Sequence, residues 1–370
     1  MIPSTIRYGE TLLQRLYPSM GEDEILQLLK ETWSRSYVFE DYTHFKESPY
    51  VGKYVNVDPN GFRRSKNQAP WPPDREKYFV IFMFGGSTAF GYGVPDDQTI
   101  ASHLQDFVSA GGLRKVAALY NFGRGHYYST QERILFEQLV AAHCLPDVAM
   151  FIDGLNEFFY YENEGTAVSK AFEKVLAGDV GQLWFKELRK RSPVIQTFRN
   201  TRKTLKEALF GRDLGKTKER YRDRHPAKLM RCIERYTVNK RMIEAVSSSF
   251  HTKSIFVWQP VPTYQYNLEL HPFGKAGFGR HGYSAFGYPM MWEYVQNHPL
   301  GENFLWCAHM QKDTQEPLYV DLAHYSPMMS KELARYIYGL MVERNLLTLK
   351  VTHAPSRKSE QILKIHQEST

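Results

Sequence analysis

Residues 78–88 read YFVIFMFGGST, seven apolar residues in a row closed by Gly85 and Gly86. A run of this length without polar alternation suits a strand buried on both faces, as in a parallel sheet covered by helices. The two glycines let the chain turn sharply, so that Ser87 opens whatever follows. Outward from this strand the same rhythm recurs. A helix is expected over 98–109, and a second strand over 116–121 ends at Phe122-Gly123. Ser129, with Glu132 three residues on, reads as a capping box for a helix reaching about His143. A third strand, 146–152, ends in Asp153-Gly154, and a fourth, 254–259, is stopped by Pro260 and Pro262. A helix near 290–297, a fifth strand over 303–307 and a last helix opened by Ser326-Pro327 and reaching Glu343 complete the set. Repeated strand–helix units imply a parallel sheet with helices on both faces, joined by right-handed crossovers.

The flanks differ in character. Residues 1–77 read as an N-terminal extension packing on the core. It holds one amphipathic helix over 23–34, with Ile25, Leu28, Leu29 and Trp33 near the helical period. An aromatic, extended stretch follows, turned at Pro59-Asn60-Gly61. Within the main domain, 78–350, residues 162–250 read as a mainly helical basic insertion. The span 186–241 holds 19 Lys and Arg against 6 Asp and Glu, so the net +7 of the chain resides there. Such an excess suits docking to an anionic polymer or membrane surface. Nucleic acid is not indicated, because neither aromatics nor a known module interleave with the charges. Residues 351–370 are polar and read as a loose tail.

With 370 residues, 42% of them hydrophobic, the chain can bury one large core, since single cores stop growing at roughly 250–300 residues. Cys144 and Cys307 lie in apolar runs and read as core, and with Cys232 they make an odd count without CxxC spacing. Neither a disulfide framework nor a zinc site is expected. His271, His281, His298 and His309 lack ligand spacing, so no metal and no cofactor is expected. No stretch approaches the ~20 apolar residues that span a bilayer, and the start lacks the pattern of a signal peptide. The expectation is a chain without an export signal, cytoplasmic by default, or exported if a leader was trimmed.

In open α/β sheets the ligand crevice lies outside the carboxyl ends of the strands. Ser87 stands at the first strand end, where the free N–H groups of a helix start favour developing negative charge. Gly85, Gly86, Gly91 and Gly93 also invite a phosphate-cradling loop, but no Lys follows and no acidic ribose partner is placed. Gly123 closes the second strand with its N–H free to face the crevice. Asn156, in Asp153-Gly154-Leu155-Asn156-Glu157, can add a side-chain amide, and three converging donors suit a tetrahedral oxyanion. Asp321-Leu322-Ala323-His324 can hold an imidazole beside the carboxylate that orients it. Each signal alone has an ordinary reading as a turn, a cap or a surface pair. Four in order, at strand ends and one late loop, point to a serine hydrolase.

These blocks, GGS at Ser87, NFG at Gly123, GLN at Gly154 and Asn156, and DLAH at Asp321 and His324, resemble those of the SGNH (GDSL-like) hydrolases. The resemblance covers roughly residues 78–160 and 250–343, and the segment Asp58-Pro-Asn-Gly-Phe-Arg63 resembles a lead-in found in bacterial members. It implies a flavodoxin-like three-layer α/β/α fold with a five-stranded parallel sheet. It implies Ser87 as nucleophile, His324 as general base and Asp321 as its orienter. The oxyanion hole would comprise the N–H groups of Ser87 and Gly123 and the Asn156 amide. Two departures stand out: Gly86 replaces the acidic residue of GDS, and Glu157 replaces Asp in the third block. The implied activity is hydrolysis of an acyl ester through an acyl-serine. A carbohydrate ester is suggested by aromatic loops at Tyr127-Tyr128, 158–161 and 273–288, whose rings could stack on sugars. O-acyl transfer through the same triad, or a binding module on the same fold, are the other readings.

Overall fold

The computed structural model describes residues 14–160, 226–272 and 277–347, with Ala177 and Gly274 besides. Much of the basic insertion, including Arg189, Lys190 and Arg191, and the whole tail 351–370 lie outside the described residues.

The chain enters through α1 (Glu22–Trp33) and two short antiparallel pairs, β1 (Tyr37–Glu40) with β2 (His44–Glu47) and β3 (Tyr50–Val51) with β4 (Asn56–Val57). The core alternates thereafter. It runs β5 (Tyr78–Gly85), α2 (Ser87–Phe90), α3 (Ile100–Ala110), β6 (Val116–Asn121), α4 (Ser129–Ala141), β7 (Val148–Asp153) and α5 (Leu155–Phe159). After the insertion come α6 (Pro226–Ser249), β8 (Lys253–Trp258), α7 (Ser284–Asn297), β9 (Phe304–Trp306) and α8 (Pro327–Glu343). Strands β6-β5-β7-β8-β9 form one five-stranded sheet, and every pairing in it is parallel. The fold is a three-layer α/β/α sandwich.

Alternate residues of each strand face opposite layers, as the period of two requires. Ile81, Met83, Met150, Ile152, Ile255 and Val257 pack with α3 and α8. Phe82, Phe84, Phe151, Phe256 and Trp258 pack with α4, α6 and α7. On that second face Phe84, Phe151 and Phe256 stack across three adjacent strands at 4.8 and 5.4 Å. Such offset pairs contribute about 0.5–1.5 kcal/mol each beyond the area they bury.

The extension forms a third cluster. Leu16, Tyr17, Ile25, Leu28, Leu29, Val55 and Val57 close over Phe90 and Tyr92, which follow Ser87, and over Val320, which precedes Asp321. One apolar patch therefore braces both halves of the prospective site. Arg63, from the lead-in segment, is fully buried. It donates to the carbonyls of Phe90 at 3.0 Å and Val94 at 2.6 Å and pairs with Asp96 at 2.9 Å. Its guanidinium thus satisfies carbonyls that the end of α2 leaves without helical partners.

Three local expectations are corrected. Ser129 is the first residue of α4, not its cap. Its N–H donates to the buried Glu157 carboxylate at 2.7 Å, while the Gln131 side chain accepts from the Tyr128 N–H. A buried carboxylate at the positive end of the helix takes the place of a serine hydroxyl. Helix α7 begins at Ser284, ahead of Pro289, so the proline sits inside the helix and does not start it. Cys307 is core, but Cys144 is half-buried at the end of the α4 turn.

Candidate active site

The order of the sheet reverses between β5 and its two neighbours, the switch point outside which open α/β sheets bind their ligands. Gly85 ends β5 at φ 153°, where a Cβ would strike Ala89 and the Ile152 carbonyl, so only glycine makes this turn without strain. Gly86 then leads into α2, and Ser87 is half-buried at its first position. Gly86 has its own requirement: a Cβ there would strike the Asn156 amide nitrogen. That close approach seats the Asn156 side chain beside the nucleophile's turn.

His324 Nε2 lies 2.8 Å from Ser87 Oγ. Its Nδ1 lies 2.7 Å from Asp321 Oδ2 and 2.9 Å from Oδ1. The Ala323 and His324 N–H groups both donate to Asp321 Oδ1 at 2.9 Å, so the loop holds its own carboxylate in place. Burial alone would push the Asp321 carboxyl up. The His324 imidazole beside it and those hydrogen bonds outweigh burial and hold it down at about 2. An ionised carboxylate on Nδ1 fixes the tautomer that leaves Nε2 as an acceptor for the serine proton. In fold and in the order of its blocks, the chain is similar to the SGNH hydrolases.

No family model and no curated protein matches the chain. Among solved structures it is similar to an acetyl xylan esterase, AlAXEase, at 11% identity and TM-score 0.38, covering 70% of this chain and 98% of that one. It is similar to a carbohydrate acetylesterase family member from Sinorhizobium meliloti at 12% identity and TM-score 0.35, covering 72% and 99%. It is also similar to a protein assigned to the G-D-S-L lipolytic family from Desulfitobacterium hafniense, at 10% identity and TM-score 0.37, covering 71% and 99%.

The two segments that carry Ser87 and His324 are tied together beneath them. Gln259, just past β8, accepts from Thr88 Oγ1 at 2.6 Å and from the Tyr325 hydroxyl at 3.1 Å. The residues following Ser87 and His324 therefore share one buried amide oxygen. Above, the His324 ring stacks on Tyr92 at 5.2 Å and meets the edge of Trp33 at 5.4 Å. The Tyr92 hydroxyl donates to Glu47 at 2.7 Å, and Glu47 is buried against Arg35 at 3.5 Å. The N-terminal extension thus supplies the wall on which the imidazole rests.

The expected oxyanion donors differ in what they do. Asn156 Nδ2 donates to the Tyr127 carbonyl at 2.6 Å, which uses one of its two hydrogens and fixes the direction of the other. The Gly123 N–H donates to the Asn121 side chain at 2.9 Å. The same Asn121 amide donates to the Ala89 carbonyl at 3.0 Å, so it latches the second loop to α2, which Ser87 opens. Gly123 is required sterically as well, since a Cβ would strike the Phe90 nitrogen.

Glu157, the departure in the third block, is buried. It anchors Ser129 N and pairs with Arg235 of α6 at 3.1 Å, holding the Asn156 loop from behind. Glu132 and Asp153 face each other nearby. Burial first, then repulsion by Asp153 and Glu157, pushes the Glu132 carboxyl well above the usual range, and burial followed by repulsion from Glu157 pushes that of Asp153 up, although its hydrogen bond with Glu132 works the other way.

The aromatic loops present fewer rings than expected, with Phe159, Tyr283 and Phe286 half-buried. Tyr127, Tyr128, Phe158, Tyr160, Phe278 and Tyr288 are buried, because α5 and α7 pack them into the core. Tyr161 and Phe273 lie outside the described residues. The exposed aromatic against the triad is Trp33, 40% exposed, from the last turn of α1. Sequence reading placed Trp33 on an amphipathic helix; its contact with a histidine some 290 positions away left no local signal.

Proposed function

We propose that the chain is an SGNH-type serine esterase that cleaves an acyl ester through an acyl-serine intermediate. The observation that carries this is the unbroken run Ser87 Oγ–His324 Nε2, His324 Nδ1–Asp321 at 2.8 and 2.7 Å, seated at the switch point of a parallel sheet. Ser87 Oγ attacks the ester carbonyl carbon while its proton passes to His324 Nε2. The carbonyl oxygen becomes an oxyanion, held by the Ser87 N–H at the start of α2 and by the second hydrogen of the Asn156 amide. The Gly123 N–H joins them by sharing its hydrogen between Asn121 and the oxyanion. Collapse expels the alcohol, which takes the proton from Nε2. Water, deprotonated by His324, then releases the acid and restores Ser87.

For the alcohol portion we favour a sugar. Trp33 offers an exposed indole at the catalytic histidine, a surface suited to the apolar face of a pyranose. The test is a panel of acetyl, butyryl and octanoyl esters and acetylated glycosides, assayed with the wild type and Ser87→Ala. Release of free acid from acetylated glycosides by the wild type alone is expected. Turnover that survives Ser87→Ala would overturn the reading.

A further inference from the structure

One cluster beside the triad is left unused by this mechanism. Asn156 and Phe159 stand three apart on α5 and so share a face of that helix. Around the Phe159 ring gather Arg280, with its guanidinium carbon 5.1 Å above the centroid, His281 at 4.7 Å and Tyr160 at 5.0 Å. Each brings a buried polar atom with no hydrogen-bond partner: Arg280 Nε and Nη2, His281 Nδ1 and the Tyr160 hydroxyl. Arg280 has no ion pair among the described residues, although Arg35, Arg63, Arg124 and Arg235 each meet a carboxylate. Buried polar groups in native proteins are almost always satisfied, and a buried cation most of all. Nε and Nη2 form the side edge of the guanidinium, the fork that donates to both oxygens of one carboxylate. The cluster lies within electrostatic reach of the triad: after burial, His324 is the largest influence holding His281 down at about 4.

We infer that Arg280, Tyr160 and His281 form a subsite for a carboxylate carried by the substrate, so that the preferred ester sits on an acidic sugar of the uronic-acid class. This inference rests on the esterase reading for its substrate and deepens it. The carboxylate takes the Arg280 fork bidentately, and the Tyr160 hydroxyl donates to one of its oxygens. The ester, attached to the same ring, then lies within reach of Ser87.

The test compares two matched substrates, acetylated methyl glucuronoside bearing a free carboxylate and acetylated methyl glucoside, in the wild type, Arg280→Gln and Arg280→Lys. A charge-assisted bidentate pair corresponds to about a 10- to 100-fold preference in kcat/KM for the acidic substrate. Arg280→Gln should abolish the preference, and Arg280→Lys, which keeps the charge without the fork, should restore part of it. Two thermal measurements stand apart from turnover. Removing the unpartnered, buried Nε and Nη2 of the half-buried Arg280 should raise the Tm of Arg280→Gln above the wild type. Added glucuronate should raise the Tm of the wild type and leave that of Arg280→Gln unmoved. Equal kcat/KM for the two esters in the wild type, or a Tm that falls sharply in Arg280→Gln, overturns the subsite while leaving the esterase intact. Arg280-dependent stabilisation by glucuronate without turnover of either ester overturns the esterase reading and leaves the subsite.

Discussion

Replacing Asn156 with alanine removes one defined donor, and the structure separates what that costs catalysis from what it costs the fold. Among the described residues the amide makes one hydrogen bond of its own, to the Tyr127 carbonyl at 2.6 Å. Losing a single neutral hydrogen bond removes about 1 kcal/mol of stability, or a Tm change of ~2–4 °C for a domain of this class. Losing an oxyanion donor costs about 10²–10³ in kcat, equivalent to ~3–4 kcal/mol, with little change in KM. Asn156→Asp sharpens the comparison. It keeps the shape but aims a carboxylate at both the Tyr127 carbonyl and the developing oxyanion, so its kcat should fall at least as far. Steady-state kinetics on a soluble acetyl ester, alongside thermal melts, read both quantities. An Asn156→Ala enzyme with wild-type kcat, or one whose loss falls entirely on KM, refutes the assignment of this amide to the oxyanion.

Four further outcomes are expected. Asp321→Asn presents an amide hydrogen toward His324 Nδ1 and forces the wrong tautomer, which should lower kcat by about 10⁴. Because the Asp321 carboxyl is held at about 2, below its unfolded 3.8, it contributes stability that is complete above the unfolded value and lost as pH falls toward the folded one. That contribution is roughly 2 kcal/mol, and melts of Asp321→Asn in acid should lack this limb; identical acid profiles would count against it. Glu132 and Asp153 are shifted the other way, so they weaken the fold as pH rises above the ordinary carboxylate range. The Tm of Glu132→Gln relative to wild type should therefore climb with pH, and a flat difference would contradict the raised carboxyl. Trp33→Ala should raise KM for an acetylated glycoside about 3- to 10-fold while sparing a simple aryl acetate; equal effects on both would remove Trp33 from sugar contact.

The sheet and the meeting of Asp321 with His324 were legible because they follow from short, local patterns. Continuous apolar runs such as 78–84 can hardly be anything but doubly covered strands, and Asp321 and His324 lie within one loop, as their spacing suggested. What escaped the sequence depends on contacts between distant segments. Tyr160 and Tyr288 are the same residue type in a cleft wall or in a core, and only the packing of α5 against α7 decides between them. Ser129 carries every mark of a cap, yet Glu157, 28 residues later, takes that role through space. The Gly123 N–H was expected to be free, but Asn121, buried at the end of β6, reaches it first. Trp33, Tyr92 and Arg280 become site residues only when the extension and the 279–283 turn are folded onto the strand ends.

The most direct test of the central claim is covalent labelling by a fluorophosphonate, followed by intact mass and peptide mapping. A nucleophile activated as the 2.8 Å contact with His324 indicates should take one adduct, on Ser87, and Ser87→Ala should take none. An unlabelled wild type, or an adduct mapped to another residue, would contradict the account.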